Sequence, residues 1–397
     1  MQKQRAGQTW MLDPQTNVDD YGQTQLSAER HSMKAALFST CKYHGPSVAG
    51  GWPVTGRVYS QDAALESFQS SLEQFRLADE LGFDWVSIAE HHFAPFSLTP
   101  NPMLMAAAIS QVVKRAKIAL LGSDIPILNP VRVAEEFAML DMMTNGRIIA
   151  GMLRGTPNEY VTYNINPAES RGRFEEAMAL IRKCWTETEP FGWQGRYYEY
   201  RSISIWPRIV QKPHPKIYMS GSSPESGEFA ARNKVSLGFA VTNVPLAKKA
   251  ASHYRQQAKL HGWEPEPDDI IYRVGIHVGE TDDEALFDYE EAQKAAPGMR
   301  LTMANRSMES AIAATGYYGR DIEGQRNRLM PRSLQERIDT GQILIGSPDT
   351  VVKQLEYIKR ELDCGVIDLT VAHQMGQKTI RSIELMGEEI LPRIANW

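Results

Sequence analysis

The chain has 397 residues, of which 42% are hydrophobic, and its 43 basic and 48 acidic side chains give a formal net charge of -5. The charge comes without a basic run, so no nucleic-acid partner and no anionic membrane surface is indicated. No apolar stretch approaches the roughly 20 residues of a membrane span, and the amino terminus lacks the apolar region of a signal peptide, so we expect a soluble, cytoplasmic protein. Three widely separated cysteines, Cys41, Cys184 and Cys364, suit a reducing compartment and argue against a structural zinc site.

The chain opens with a polar segment, residues 1–32, which we expect to be a tail outside a single folded domain of residues 33–397. From residue 33 onward, short apolar runs alternate with amphipathic segments, which predicts strands followed by helices. The predicted strands are Lys34–Ser39, Asp84–Ala89, Ile118–Leu121, Arg147–Met152, Lys216–Ser220, Ser236–Ala240, Ile271–Val278 and Gly365–Val371. The predicted helices are Leu65–Leu81, Pro102–Arg115, Val131–Met143, Arg171–Thr186, Pro224–Asn233, Leu246–His261, Ser347–Leu362 and Ile380–Ile394. Eight strands in such an alternation predict an α/β fold of the TIM (β/α)8 barrel type.

The first predicted helix carries an apolar stripe at spacings of three and four, which we expect to face the sheet. Its members are Leu65, Phe68, Leu72, Phe75, Ala78 and Leu81, and Gly82 is predicted to end the helix.

Two stretches are too long to be ordinary connections and are predicted insertions. Residues 191–215, which follow the fourth strand and its helix, indicate a short hairpin and a proline-pinned return. Residues 292–340 lie between the seventh and eighth strands and contain the basic cluster Arg320–Arg332. We expect part of this second insertion to form a lid that excludes water from the barrel mouth.

Polar groups follow the second predicted strand where a buried strand would emerge. The stretch FDWVSIAEHHF, residues 83–93, places Glu90, His91 and His92 at this point. Catalytic groups of parallel α/β folds lie at the carboxyl ends of strands, so the triplet favours an active site, although either histidine alone could equally cap a loop. Neighbouring residues of an extended strand point to opposite faces, so the three cannot ligate one ion, and we predict no metal site.

Two further clusters predict an anion site. Arg154 in GMLRGTPNEY lies at the end of the fourth strand, where a buried guanidinium requires an anion. Ser222 and Ser223 in IYMSGSSPES precede a helix, so they are either plain caps or anion ligands at its positive end. Arg171 or Arg173 in ESRGRFEE is a second cation, unless it pairs with a glutamate of its own helix. Arginines that converge with these serines favour a phosphate.

Taken together and in this order, the motifs resemble the bacterial luciferase-like flavin monooxygenases. The resemblance runs from about residue 33 to the carboxyl terminus, and EHHF, NPVRVAEEFAMLDMMTNGR, GMLRG, ESRGRFEEAM, VQKPHPKIYMSGSSPES and GSPDTVVKQL carry it. It implies a TIM barrel that uses reduced FMN (FMNH2) and O2, through a C4a-peroxyflavin, to oxygenate a medium-sized organic substrate. A separate NAD(P)H:flavin reductase would supply the flavin, which agrees with the lack of a G-x-G-x-x-G motif in this chain. The resemblance also suggests a homodimer.

The resemblance implies roles for single residues. His91 matches the family's catalytic histidine and Glu90 would lie by the flavin ring; our hypothesis is that Glu90 orients His91, which manages a proton of the oxygenated flavin. The residues that would hold the FMN phosphate are Arg154, Thr156 through its backbone, Arg171, Ser222, Ser223 and Ser226. The strand end Leu121, Gly122 and Ser123 would pass along the isoalloxazine, where the family can carry a non-proline cis peptide. Leu153 stands where luciferase itself has cysteine, and Asp124 is an unusual residue so near the ring.

Three alternatives stay open at this point. The first is a deazaflavin (F420)-dependent oxidoreductase of the same superfamily, which would transfer hydride and ignore O2. The second is a non-catalytic flavin-binding barrel, against which the retention of both EHHF and Arg154 speaks. A metallohydrolase is the weakest, for the reason given above. The substrate pocket is predicted only as an apolar set, and hydroxylation, Baeyer–Villiger oxidation, epoxidation and desulfonation all remain open. That set consists of Tyr43, His44, Trp52, Phe96, Met103, Tyr317 and Tyr318.

Overall fold

The computed structural model describes residues 33–46, 53–240, 242–295 and 332–397. Several predictions fall outside these residues: the tail 1–32, the pocket candidates Trp52, Tyr317 and Tyr318, and most of the 292–340 insertion with its lid and basic cluster.

Eight parallel strands close into a barrel, as predicted. Within the described residues the strands are β1 (Lys34–Ser39), β2 (Trp85–Ile88), β3 (Lys117–Asp124), β4 (Ile148–Leu153), β5 (Phe191–Gln194), β6 (Glu199–Ile203), β7 (Ile217–Ser220), β8 (Ser236–Phe239), β9 (Ile270–Val278), β10 (Ile343–Gly346) and β11 (Val366–Val371). The barrel runs β1-β2-β3-β4-β7-β8-β9-β11, and β11 pairs in turn with β1, with Lys34 opposite Val366. The prediction of a TIM barrel is therefore confirmed.

Helices follow the strands and pack around the sheet. They are α1 (Gln61–Leu81), α2 (Pro102–Val112), α3 (Pro130–Met143), α4 (Pro157–Thr162), α5 (Ser170–Thr186), α6 (Pro224–Asn233), α7 (Val244–Leu260), α8 (Asp282–Ala295), α9 (Leu334–Asp339), α10 (Pro348–Leu362), α11 (Gln377–Leu385) and α12 (Leu391–Ile394). The last two are joined by a π-helical turn, Met386–Ile390, where the sequence predicted one continuous helix. None of the helices in the described part of the chain is both long and apolar enough to cross a membrane.

The strands are apolar on both faces because each face is buried against a different layer. Side chains on the outer face join the large core beneath the helices, whereas the inner face forms a smaller cluster inside the barrel. Two aromatic rings fill much of that interior: Trp85 and Tyr218 meet edge to face with centroids 5.7 Å apart. Since the barrel interior is filled, an open site forms at the ends of the strands.

The predicted apolar stripe of α1 is wrong in its first half. Leu65 is 56% exposed and Phe68 is 37% exposed, while the second half of the stripe is buried or half-buried. The buried face of the first half is small and polar instead: the Ser67 hydroxyl accepts a hydrogen bond from the backbone N–H of His44 at 2.9 Å, which ties the loop after β1 to the helix. Gly82 ends the helix in the left-handed conformation, with φ of 93°, as predicted.

Two small sheet features lie outside the closed ring. Strands β5 and β6 form an antiparallel hairpin, as predicted for residues 191–215. Strand β10 was not predicted, and it pairs with the carboxyl-terminal half of β9, with Ile343 opposite Gly275. The amino-terminal half of β9 pairs with β8 on that side, with Leu237 opposite Ile270.

Candidate active site

One cavity of about 350 Å³ lies at the carboxyl ends of the barrel strands. Its lining combines an apolar wall with clusters of charged and hydroxyl side chains. The lining includes Glu90, His91, Leu121, Asp124, Leu153, Arg154, Thr156, Arg171, Phe174, Ser222, Ser223, Ser226, Arg273 and Asp368. The structure thus brings together eight of the ten residues predicted from the sequence, which come from segments after β2, β4 and β7 and from α5.

The two remaining residues, Gly122 and Ser123, do not line the cavity but lie behind it in β3. The peptide bond between Leu121 and Gly122 is cis, the non-proline cis bond that the resemblance implies for this position. A Cβ on Gly122 would lie 2.0 Å from Cγ of Leu153, so no other residue fits there without displacement. The carbonyl of Gly122 accepts a hydrogen bond from the backbone N–H of Glu90 at 2.9 Å, which joins the segments after β2 and within β3.

The anion end of the cavity is built at the start of α6. Ser223 is the N-cap of this ten-residue helix, and its hydroxyl accepts a hydrogen bond from the backbone N–H of Ser226 at 3.3 Å. Ser222 lines the cavity directly before the cap, and Arg154 faces the same space from the end of β4. The helix terminus and the arginine side chain both favour a negatively charged ligand.

The structure separates the two arginines that the sequence left open. Arg171 lines the cavity, whereas Arg173 lies on the outer side of α5, where its Nε donates to Glu169 at 2.9 Å. The guanidinium of Arg173 also stacks over the ring of Tyr197, 5.4 Å from the centroid. Of the two, only Arg171 is in a position to contact a ligand in the cavity.

The hypothesis that Glu90 orients His91 is wrong. Glu90 is buried and its Oε1 lies 3.0 Å from Nε2 of His92, while its Oε2 accepts the backbone N–H of Asp124 at 2.9 Å. Residues 90 and 92 share one face of the extended segment, so residue 91 points to the other. The Nδ1 of His91 lies instead 3.3 Å from Oε1 of Glu159, a residue of α4.

Glu159 and Asp124 are adjacent buried carboxyl groups beside His91. Burial alone would raise the pKa of Glu159, but hydrogen bonds from His91, Asp124 and Thr156 outweigh it and lower the pKa to about 2. The pKa of Asp124 is raised well above its usual range, first by burial and then by the negative charges of Glu159 and Glu90. The pKa values of the two neighbouring carboxyl groups are thus displaced in opposite directions.

A charged pair that the sequence reasoning missed lies at the floor of the cavity. Nε of Arg273 in β9 donates to Oδ2 of the buried Asp368 in β11 at 2.6 Å, and its Nη2 donates to the carbonyl of Leu121 at 3.1 Å. A signal was present, because each is a charged residue in the middle of an apolar barrel strand. Glu159 gave a weaker signal in the sequence, because the stretch around it is polar and shows no helical period.

A second, more apolar pocket of about 380 Å³ adjoins the first. His91 lines both of them. The ring of Tyr43 contributes to the second pocket and stacks on Tyr59, with centroids 5.7 Å apart. Phe68 and Phe93 contribute two further aromatic side chains, and no lysine, arginine, aspartate or glutamate lines this pocket among the residues that the structure describes.

A barrel with a polar cavity at the carboxyl ends of its strands defines the protein as a TIM-barrel enzyme. The family model described as luciferase-like monooxygenase matches residues 45–363. The chain therefore belongs to the luciferase-like monooxygenase family, and it is an oxidoreductase.

Two curated relatives match part of the chain. Protein y4wF of Sinorhizobium fredii (strain NBRC 101917 / NGR234) is 27% identical over 200 residues, which cover 50% of this chain and 58% of that protein. The oxygenase component of the flavin-dependent trigonelline monooxygenase of Acinetobacter baylyi (strain ATCC 33305 / BD413 / ADP1) is 25% identical over 254 residues, covering 62% of this chain and 67% of that protein.

Solved structures match over 91% of the chain. Monooxygenase RslO1 from Streptomyces bottropensis aligns with a TM-score of 0.72 and 25% identity over 100% of its length. The oxygenating constituent of 3,6-diketocamphane monooxygenase from the CAM plasmid of Pseudomonas putida, a type II Baeyer–Villiger monooxygenase in complex with FMN, aligns with a TM-score of 0.69 and 20% identity over 99% of its length. An F420-dependent secondary alcohol dehydrogenase aligns with a TM-score of 0.66 and 18% identity over 99% of its length.

Proposed function

We propose that this protein binds reduced FMN in the first cavity and uses O2 to oxygenate an organic substrate. The observation that carries the proposal is the polarity of the cavity, which has an anion site at one end and a histidine at the other. Arg154 and Ser222 line the cavity after the neighbouring strands β4 and β7, and Arg171 lines it from α5, whereas His91 lines it after β2, on the far side of β3. Arginines at the positive end of a helix are the groups that bind phosphate well.

The residues present fit a flavin mononucleotide. Leu121, Leu153 and Phe174 provide apolar surface for a ring system between the two polar ends. Gly221 lets the side chain of Ser226 approach the end of β7, since a Cβ at residue 221 would lie 2.5 Å from the Cβ of Ser226. Ser223 and Ser226 would support the phosphate at the start of α6. The backbone N–H of Thr156, which was predicted to join them, donates instead to Oε2 of Glu159 at 2.8 Å. Reduced FMN would supply the electrons that activate O2 for transfer of one oxygen atom to the substrate.

The chain's own residues would then bind, orient and exclude water. We assign His91 the task of holding or moving a proton at its ring, because a histidine can do both near neutral pH. The organic substrate would lie in the second pocket, on the other side of His91. Among the residues that the structure describes, the lining of this pocket is aromatic and carries no carboxylate, amine or guanidinium group, which favours an uncharged, apolar molecule.

Three further assignments, of a reductase, a compartment and an oligomeric state, belong to the same proposal. A separate NAD(P)H:flavin reductase would supply the reduced flavin, as the name "oxygenase component" of the Acinetobacter relative supports by analogy. The cytoplasm is the compartment proposed, in keeping with three cysteines that are all free and buried. A homodimer is proposed from the family resemblance.

Hydride transfer with a deazaflavin is the second candidate, because the F420-dependent dehydrogenase shares the fold. The two candidates differ in their reaction with oxygen. A reduced flavin bound for oxygenation has to react with O2, whereas a deazaflavin site transfers hydride to or from its substrate.

Anaerobic titration of the protein with reduced FMN tests the binding site. Arg171→Gln removes a cation from the cavity, so we expect its Kd to rise roughly 10-fold, which corresponds to about 1.4 kcal/mol. Arg173→Gln is the matched control, because Arg173 pairs with Glu169 outside the cavity, and its Kd should stay within about twofold of the original. Equal Kd values for the two variants would overturn the assignment of Arg171.

Rapid mixing of the reduced FMN complex with oxygenated buffer tests the reaction. We expect an oxygen-dependent transient absorbance before the spectrum of oxidised flavin returns, and a faster decay of that transient with the right substrate. Direct reappearance of oxidised flavin with no transient, combined with tighter binding of the deazaflavin than of FMN, would favour the hydride-transferring candidate.

A further inference from the structure

Glu159 links His91 to the body of the protein. Its side chain is only 4% exposed, and its Oε1 lies 3.3 Å from Nδ1 of His91. Its Oε2 accepts two hydrogen bonds from Thr156, at 2.8 Å from the backbone N–H and at 2.7 Å from the hydroxyl. A carboxylate whose Oε2 is held by two donors is a rigid acceptor at its Oε1, so it orients the ring of His91 and favours the tautomer that carries the proton on Nδ1.

Asp124 lies behind Glu159 and is 3% exposed. Its buried Oδ2 receives no hydrogen bond from any donor among the described residues, and the carboxyl group of Glu159 lies beside it, close enough for a hydrogen bond between the two carboxyl groups. Two carboxylates are both acceptors, so such a bond exists only if one of them carries a proton. Gly155 allows the close approach: it has a φ of +80°, and a Cβ there would lie 2.8 Å from Cγ of Asp124.

Other titratable groups surround Asp124 and favour its neutral form. Glu90 faces it from the segment after β2, and Glu159 from α4. The hydroxyl of Tyr163 also lies near these groups. It is 3.1 Å from Nδ1 of His92, and the charges of all three carboxyl groups raise its pKa further, after burial. With Asp124 neutral, the three carboxyl groups carry two negative charges instead of three, which lowers the cost of burying them.

We propose that Asp124 and Glu159 share one proton and that this acid pair positions His91. Asp124 donates the proton to Glu159, Glu159 accepts the Nδ1–H of His91, and the other ring nitrogen of His91 is left for chemistry in the cavity. Glu159 and Asp124 are thus positioning residues that act through His91. The role in catalysis depends on the proposed function, whereas the shared proton does not.

Infrared spectroscopy of the protein without flavin tests the shared proton. We expect the carbonyl stretching band of a protonated carboxylic acid at neutral pH, and its loss in Asp124→Asn. Asp141→Asn is the matched control, because Asp141 is equally buried but accepts hydrogen bonds from Val210 and Gln211, and it should leave the band in place. A band that survives in Asp124→Asn, or that disappears only in Asp141→Asn, would overturn the acid pair.

Glu159→Gln gives a second test that does not depend on the folding of the Asp124 variant. Glutamine keeps the shape but removes the negative charge that favours protonated Asp124, so the band should disappear at a lower pH than in the original protein. If the infrared band disappears at the same pH in Glu159→Gln as in the original protein, the two carboxyl groups are not paired.

The positioning role is tested by kinetics. We expect the Kd of the Glu159→Gln variant for reduced FMN to stay within about twofold of the original. Substrate oxygenation should slow roughly 10-fold or more, because glutamine can present its N–H2 group to His91 in place of an acceptor. Unchanged oxygenation with the expected infrared result would remove the positioning role. If the original protein itself fails to react with O2, the proposed function falls while the infrared result still decides whether the proton is shared.

Discussion

Gly151 shows how closely two barrel strands approach each other beside the candidate site. A Cβ at this position in β4 would lie 2.0 Å from the carbonyl oxygen of Leu120 in β3. The register between β3 and β4 shifts between Leu120 and Ser123, on either side of the cis peptide bond. The obstacle is backbone and not a flexible side chain, so it cannot move aside at low cost.

We therefore predict that Gly151→Ala lowers the free energy of unfolding by about 1–3 kcal/mol. Gly238→Ala is a matched control in another barrel strand, since the nearest atom to its Cβ is the carbonyl oxygen of Met219 at 3.6 Å, an ordinary contact. The control should change stability by no more than about 0.5 kcal/mol. Urea unfolding followed by circular dichroism measures both, and equal stabilities would refute the explanation.

The candidate residues themselves could be predicted from the sequence, but their partners could not. His91 and Arg154 stand at strand ends, where polar residues interrupt an apolar pattern. The pairing of His91 with Glu159 joins residues 68 positions apart, and it depends on how α4 packs after β4. No local pattern carries that information, and the adjacent Glu90 was therefore the wrong choice.

The hairpin of β5 and β6 is attached to α5 by one carboxylate. Glu176 accepts hydrogen bonds from the backbone N–H groups of Arg196, Tyr197 and Tyr198, at 3.0, 3.0 and 3.1 Å. The ring of Tyr197 also lies against Gly172 at the start of α5, where a Cβ would be 2.6 Å from the ring. The hairpin therefore supports the first turn of α5, which carries Arg171, the residue of this helix that was assigned to the anion site.

Glu176→Ala should release the turn of the hairpin, because three backbone donors lose their acceptor. We predict faster hydrogen exchange at the amides of residues 196–198, measured by mass spectrometry. Glu175→Ala is the neighbouring control, since Glu175 only approaches Arg232 at 4.0 Å on the surface. Similar exchange in the two variants would mean that Glu176 does not hold the turn.

Elements that belong to the alternation of strands and helices were predictable, and an element outside that alternation was not. All eight strands of the barrel were found from continuous apolar runs, and α6 was predicted with its observed bounds, Pro224–Asn233. Strand β10 is no shorter than the predicted strands β2, β7 and β8, but it stands outside the alternation, and its place is set by the edge of β9. The first half of α1 failed because its buried face contacts a polar loop, so apolar residues there do not mark the inside.

Several histidines are held neutral in the folded chain, which makes stability depend on pH. Burial lowers the pKa of His44, His214 and His277, and it lowers the pKa of His373 to about 4. An unfolded histidine takes up a proton near its ordinary pKa of about 6.5. The unfolded state therefore binds more protons below that pH, and stability is lost as the pH falls from about 6.5 towards 4.

We predict that His373→Gln loses less stability than the original protein between pH 7 and pH 5. His261→Gln replaces an exposed histidine at the end of α7 and should follow the original profile. Asp124 contributes with the opposite sign, because its raised pKa lets the folded state take up a proton, but this contribution cancels in the comparison of variants. Thermal melting at each pH measures the difference, and parallel profiles for the two variants would contradict the assignment.

Strand β9 has nine residues and divides its outer edge between two neighbours. Its first three residues pair with β8, and residues 275–278 pair with β10. Because β10 occupies the rest of the edge, the backbone groups of the carboxyl-terminal half of β9 are paired although β8 does not extend to them. Strand β9 therefore presents no open edge beyond β8 to which a strand of another chain could add.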